Sequence, residues 1–238
     1  IASQIQKSML PSIFPPFPTR DGFALFAVME PAREVGGDFY DFFLVDDDHL
    51  ALVMADVSGK GVPAALFMMI SRTLIKTIAG QGKTPDQALS EVNNLLCQGN
   101  DASMFVTVFL AFYEISTGDL VFANGGHNPA MLVHPAGETR AFGGRLGPAL
   151  GYLPDLSYKL GRDHLNVEEM LVLYTDGVTE AQTSTGDMFG EERFKKLLSE
   201  NRRLGLNELG KMMVVELQEY QSGSQFDDIT LLLLKRKA

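Results

Sequence analysis

Apolar and polar positions along this chain fall into short apolar runs separated by turn residues. Phe23–Glu30 has the length of one strand, and Pro31–Gly37 closes it as a turn. Phe39–Val45 reads as a second, aromatic-rich strand. Asp46-Asp47-Asp48 then forms a loop tip whose carboxylates are expected to be solvated. Leu50–Ala55 is a short, unbroken apolar run, the signature of a buried third strand. From Pro63 to about Ala79 the run is longer and opens on Pro, which suits the first position of a helix. Thr84-Pro85-Asp86-Gln87 has capping-box spacing and opens a second helix with Leu89, Val92 and Leu96 on one face.

Phe105–Glu114, Leu120–Ala123, Ala130–His134 and Thr139–Phe142 continue as strands joined by tight turns, so they are expected to pair antiparallel. Met170–Tyr174 and Ile229–Lys235 are further buried strands, while Glu191–Asn201 and Asn207–Tyr220 carry helical spacing. At the N-terminus Ile1, Ile5 and Met9 recur every fourth residue on one helical face, which Pro11 ends. The PSIFPPFP stretch reads as extended linker. The fold class expected is α+β: two packed, mostly antiparallel sheets forming a β-sandwich flanked by helices. Residues 21–238 would be that domain, and residues 1–20 the end of a linker helix from an upstream domain plus the extended linker. The opening Ile, in place of Met, fits a piece of a longer protein.

Composition narrows the chemistry. The 45% of hydrophobic residues supports a real core rather than a disordered tail. A net charge of -10 argues against nucleic acid, whose phosphates need Lys and Arg. Cys97 is the single cysteine, so an internal disulfide and a cysteine metal cluster are both excluded. A reducing, cytoplasmic setting follows as an expectation. No signal peptide is visible, no run approaches the roughly 20 apolar residues that span a bilayer, and no membrane contact is expected of this domain.

Carboxylates recur where apolar runs end. Asp56 closes the third strand and is followed by Ser58, Gly59, Lys60 and Gly61. Asp176 follows LVLYT, Asp227 and Asp228 precede the last strand, and Asp38 follows Gly36-Gly37. If the sheets bring these ends together, the like charges repel strongly unless cations intervene. Oxygen-only ligands suit Mg²⁺ or Mn²⁺, and two such ions about 3.5–4 Å apart can activate a water for attack on phosphorus. Arg33, five residues before Asp38, could hold a phosphate by a bidentate contact. Lys60 could attract an anion, although GKG lacks the spacing of a Walker loop. His127, in GGHNP, reads first of all as part of a turn.

EVGGDFYD (34–41), DVSGKGVPAALFMM (56–69), MFVTVF (104–109), GGHNPAML (125–132), LVLYTDGVTEA (171–181), FGEERF (189–194) and FDDITLLLL (226–234) together resemble the SpoIIE/RsbU branch of the metal-dependent type 2C protein phosphatases. The resemblance implies a β-sandwich flanked by helices and a phosphoserine/phosphothreonine phosphatase using two Mn²⁺ or Mg²⁺ ions. It implies that Asp56 bridges both ions and that the Val57 carbonyl binds one. Asp176 and Asp227 would hold the other, with Asp228 as the fallback for Asp227, and Asp38 would bind directly or through water. Gly59 and Lys60, with Arg33, would face the substrate. Ser58 stands where the broader family often has a His, so the resemblance names no proton donor for the leaving group. It further implies a phosphorylated STAS-domain protein as substrate and the helices after Pro63 and Thr84 as a switch positioning Asp56. The Ile1, Ile5, Met9 face and the missing start Met suggest a helix entering from an upstream sensor or receiver domain in the same chain and a homodimer at full length. The competing expectation is a non-catalytic binding module of phosphatase descent, which usually loses a metal carboxylate; none is missing here.

Overall fold

The computed structural model describes residues 1–144, 147–222 and 225–238. Helix α1 (Ala2–Met9) is followed by strands β1 (Phe23–Glu30), β2 (Phe39–Leu44) and β3 (His49–Val57). Helices α2 (Val62–Ala79) and α3 (Pro85–Cys97) come next. Strands β4 (Val106–Glu114), β5 (Asp119–Gly125), β6 (Ala130–Val133), β7 (Thr139–Phe142), β8 (Gly161–His164) and β9 (Met170–Tyr174) form the middle. The chain ends in α4 (Asp176–Thr179), α5 (Gly190–Asn201), α6 (Leu206–Tyr220) and β10 (Ile229–Arg236).

The strands make two five-stranded sheets, ordered β1-β10-β9-β6-β7 and β2-β3-β4-β5-β8, with antiparallel pairing between neighbouring strands. The sheets pack face to face. α2 and α3 cover the outside of the second sheet, and α6 covers β1 and β10 of the first. Strands covered on both faces need continuous apolar sequence rather than alternation, which explains ITLLLL. Leu232 and Leu234 face the opposite sheet, while Leu231 and Leu233 face α5 and α6. Each of these leucines is fully buried, which stabilises the fold by about 1.5–3 kcal/mol apiece. Leu50–Ala55 of β3 is likewise wholly inside. The capping box at Thr84 and Gln87 forms as its spacing predicts, and Leu89, Val92 and Leu96 are the buried face of α3.

Three features depart from the sequence reading. β8, GRDH, is a polar strand on the edge of its sheet; edge strands are commonly polar, so its sequence carries no strand signal. α1 forms, but its inward stripe is Ser3, Gln6, Met9 and Leu10, whereas Ile1 and Ile5 stay exposed. A buried glutamine with backbone partners takes the place expected of an isoleucine. Finally, α2 has the length and composition of a short membrane span, with 18 residues and a mean hydropathy of 1.4. Its buried side, from Ala64 and Met68 to Ile75 and Ala79, packs into the domain core. Phe14 and Phe17 of the extended segment lie against Phe26, Phe42 and Phe23.

Candidate active site

Four strand ends meet at one rim of the sandwich. The register sets Phe39 opposite Ala55, so Asp38 and Asp56 stand side by side where β2 begins and β3 ends. In the other sheet the Thr175 N–H donates to the Thr230 carbonyl at 3.2 Å, which brings Asp176 beside the Asp227-Asp228 pair. The backbones there are close: a Cβ on Gly177 would lie 2.0 Å from the Asp228 carbonyl oxygen. Two threonines stitch the sheets together at this rim. Thr175 Oγ1 and Thr230 Oγ1 donate to Asp38 Oδ2 at 2.6 and 2.7 Å.

The adjacent aspartates have different occupations. Asp228 is buried and serves the backbone: Oδ1 accepts from the Ala32 N–H at 2.8 Å, and Oδ2 accepts from Gly37 and Asp38 at 2.9 and 3.4 Å. Asp227 points the other way, as neighbours in extended chain must. Its Oδ2 pairs with Lys60 Nζ at 2.9 Å, and its charge reaches Asp56 and Asp176. Lys60 also donates to the Phe226 carbonyl at 2.9 Å and lies 4.9 Å above the Phe226 ring. It is therefore committed to the carboxylates rather than free on the rim. Gly59 and Gly61, with φ of 85° and 77°, give the loop its left-handed turns. Arg33 is exposed on the Pro31–Gly37 loop, with no carboxylate partner among the described residues.

Electrostatics marks the rim as an acid cluster. Burial, then the charges of Asp56 and Asp228, hold the Asp38 carboxyl well above its ordinary value. Burial, and after it Asp176, push Asp56 up to about 7, and its side chain hydrogen-bonds that of Asp38. Asp176 is raised by burial, then by Glu180 and Asp227, against the pull of the Gly177 N–H and Lys60. Shared protons and one lysine offset repulsion that a hard cation would remove. Among the described residues no three acidic, His or Cys side chains already close on a single point. The donor set nonetheless fits a divalent ion: it is all oxygen and rich in negative charge. Gly37 also leaves the Val57 carbonyl approachable, since a Cβ there would stand 2.9 Å from that oxygen.

Sequence reasoning missed the supporting residues. Thr230 is a lone polar residue in an apolar run, and Thr175 ends another run directly before Asp176, signals that could have marked them. Glu180 lies one turn beyond Asp176 and adds to the field there. His127 is buried and spans the sheets: its ring nitrogens contact Thr107 Oγ1 at 2.8 Å and the Tyr174 carbonyl at 3.1 Å. A carbonyl only accepts, so Nε2 carries the hydrogen. Thr107 pairs with Asp56 across the ladder and Tyr174 precedes Thr175, so His127 props both halves of the rim.

Known proteins resemble this chain in sequence and in fold. Residues 46–237 match the family model for Stage II sporulation protein E (SpoIIE). The chain is 34% identical to protein IcfG of Synechocystis over 98% of its own length and 40% of that protein. It is 32% identical to the phosphoserine phosphatase RsbU of Bacillus subtilis over all of its length and 69% of RsbU. The chain thus spans less than half of IcfG and about two thirds of RsbU. Among solved structures, the SiaA-PP2C domain of Pseudomonas aeruginosa superposes with a TM-score of 0.85 at 27% identity, covering 98% of this chain and 94% of that one. With two packed antiparallel sheets, acidic strand ends and a match across most of its length, the chain belongs to the Stage II sporulation protein E (SpoIIE) family.

Proposed function

We propose that this chain is a divalent-metal-dependent phosphatase of phosphoserine or phosphothreonine on a regulatory protein. The observation that carries this reading is the gathering of Asp38, Asp56, Asp176, Asp227 and Asp228 from strand ends of both sheets, with Lys60 as their cationic partner. Asp56, flanked by Asp38 on one side and Asp176 on the other, would contact two Mn²⁺ or Mg²⁺ ions. The Val57 carbonyl and Asp38 would hold one, and Asp176 and Asp227 the other. Such ions, when bound, supply the charge that activates a water and stabilises the phosphoryl oxygens. The chain's own part is positional. Thr175 and Thr230 orient Asp38, His127 fixes the strands under Asp56 and Asp176, and Asp228 holds the Pro31–Asp38 loop over the rim. Lys60 neutralises Asp227, and a cation held by that carboxylate would leave Lys60 to meet a phosphate oxygen. Arg33 and Gly59 would face the substrate beside them.

The substrate reading rests on shape and on relatives. The glycine-rich turns at positions 36, 37, 59 and 61 suit a phosphorylated side chain offered by a folded surface. RsbU, at 32% identity, is a phosphoserine phosphatase. A phosphorylated STAS-domain protein is the substrate we assign. Residues 1–20 would carry the signal of an upstream sensor or receiver domain, and the full-length protein would be a cytoplasmic homodimer. The test is hydrolysis of a phosphorylated STAS protein and of a peptide cut from its phosphosite. Turnover should require Mn²⁺ or Mg²⁺, stop with chelator, and fall at least about 10²–10³-fold in Asp56→Asn, the scale for loss of one transition-state electrostatic group. The peptide should show a lower kcat/KM, because remote binding energy is lost. Metal-independent turnover by Asp56→Asn would reject the mechanism, and equal values for protein and peptide would reject recognition of the folded substrate.

A further inference from the structure

α1 touches the domain along a narrow stripe. A cavity of about 400 Å³, lined by Lys7, Leu10, Met29 and Tyr40 among others, lies beside it, so continuous packing does not hold the helix. Specific contacts do. The Tyr40 hydroxyl donates to the Pro11 carbonyl at 2.7 Å, just beyond the helix. Gln6, only 3% exposed, closes a two-way pair with one backbone unit. Its Nε2 donates to the Gly36 carbonyl at 2.7 Å, and the Gly36 N–H donates to Oε1 at 3.1 Å. Both backbone polar groups of buried Gly36 are thereby satisfied by one side chain, as a neighbouring strand would satisfy them.

Gly36 in turn bears on the site. A Cβ at this position would lie 2.2 Å from Asp228 Oδ2, so the loop approaches that carboxylate as closely as only glycine permits. The next two N–H groups, of Gly37 and Asp38, both donate to the same oxygen. An unbroken line of contacts therefore runs from α1 through Gln6, Gly36 and Asp228 to Asp38. We propose that Gln6 is a positioning residue: through Gly36 it holds the Val35–Asp38 segment where Asp38 and Asp228 keep the rim competent to bind cations. This deepens the phosphatase reading and rests on it.

Gln6→Met keeps the length of the side chain and removes both bonds. Gln6→Glu keeps the acceptor for the Gly36 N–H, loses the donor, and serves as the milder variant should Gln6→Met fail to fold. Two readouts decide: amide hydrogen exchange across residues 31–41 without metal, and Mn²⁺ affinity by titration calorimetry. Exchange at residues 35–38 should quicken about tenfold, the scale of one lost buried bond. Mn²⁺ affinity should weaken about tenfold, as when an outer partner of a ligand is lost. Unchanged exchange overturns the proposal, and so does faster exchange with unchanged affinity, which would make Gln6 an anchor of α1 only. Wild-type chain that binds no Mn²⁺ sinks the phosphatase reading and this one with it. Wild-type binding beside an unaffected variant sinks the positioning role alone.

Discussion

At the scale of single residues, neighbours with identical side chains do different work. Asp227 and Asp228 could not be told apart by spacing, since either could end the loop before β10. Position decides. Asp228 spends both oxygens on the N–H groups of Ala32, Gly37 and Asp38, whereas Asp227 faces Lys60 and the other carboxylates. Asp228→Asn turns an NH₂ toward one of those donors, and should cost about 1.5–3 kcal/mol of stability, the range for hydrogen bonds to a charged group. Asp227→Asn should leave stability within about 0.5 kcal/mol, as partly exposed sites do, yet weaken Mn²⁺ by more than the about 10–100-fold of an outer-partner loss. Chemical denaturation and calorimetry on both variants check this; the reverse assignment of the two effects would refute it. The strand-end aspartates were legible because a charge that interrupts an apolar run needs a reason. Gln6 was not legible, because its reason lies 30 positions away in Gly36.

At the scale of elements, periodicity located the long helices and the buried strands to within a residue or two. It failed where tertiary contact overrides local pattern, as in polar β8 and the four-residue α4 after β9. The link between α2 and β2 was equally hidden. Arg72 of α2 reaches Asp41 of β2, Nη2 to Oδ2 at 2.8 Å, and Asp41 is only 1% exposed. Because α2 begins directly after the Asp56–Gly61 loop, this pair helps fix where that loop ends. Burial raises the Asp41 carboxyl above its ordinary value, while Arg72 and then Lys76 pull it down. Arg72→Ala should therefore cost about 3–5 kcal/mol at neutral pH, the penalty for stranding a buried charge. The sign with pH follows. Without Arg72 the folded-state pKa rises further above the unfolded one, so the folded form holds the proton better. The penalty then grows as pH rises through the folded value and fades below it. Thermal melts of wild type and Arg72→Ala should converge on acidification; a gap that widens in acid contradicts the buried-charge account. Replacing both partners, Arg72→Met with Asp41→Leu, should recover much of the loss.

At the scale of the whole molecule, pairing the strands of the sandwich is what assembles its site. Two antiparallel sheets with helices outside were legible from the spacing of runs and turns. The order β1-β10-β9-β6-β7 was not, because pairing the first strand with the last is a choice among long-range contacts. That pairing brings the loop after β1 to Asp228, and so assembles acids from opposite ends of the chain. The assembly works against folding when no cation is bound. Asp56, pushed up to about 7, and Asp38 and Asp176, also raised, hold protons more tightly folded than unfolded. Groups raised in this way favour the folded state when protonated, and that advantage is lost as pH climbs from the ordinary carboxylate range through about 7. In chelator the melting temperature should thus fall from about pH 4 through about pH 7 and level off above it. Mn²⁺ should reverse the trend, because it replaces the protons and adds about 2.7 kcal/mol at a hundredfold excess over Kd. Its binding must release protons, so affinity should weaken below neutrality by up to about tenfold per pH unit for each proton displaced. Melts with chelator and with saturating Mn²⁺ across this range measure both effects. The Mn²⁺-induced rise should be larger at the alkaline end. A rise that is flat with pH, or larger in acid, would mean that these carboxylates do not hold the metal.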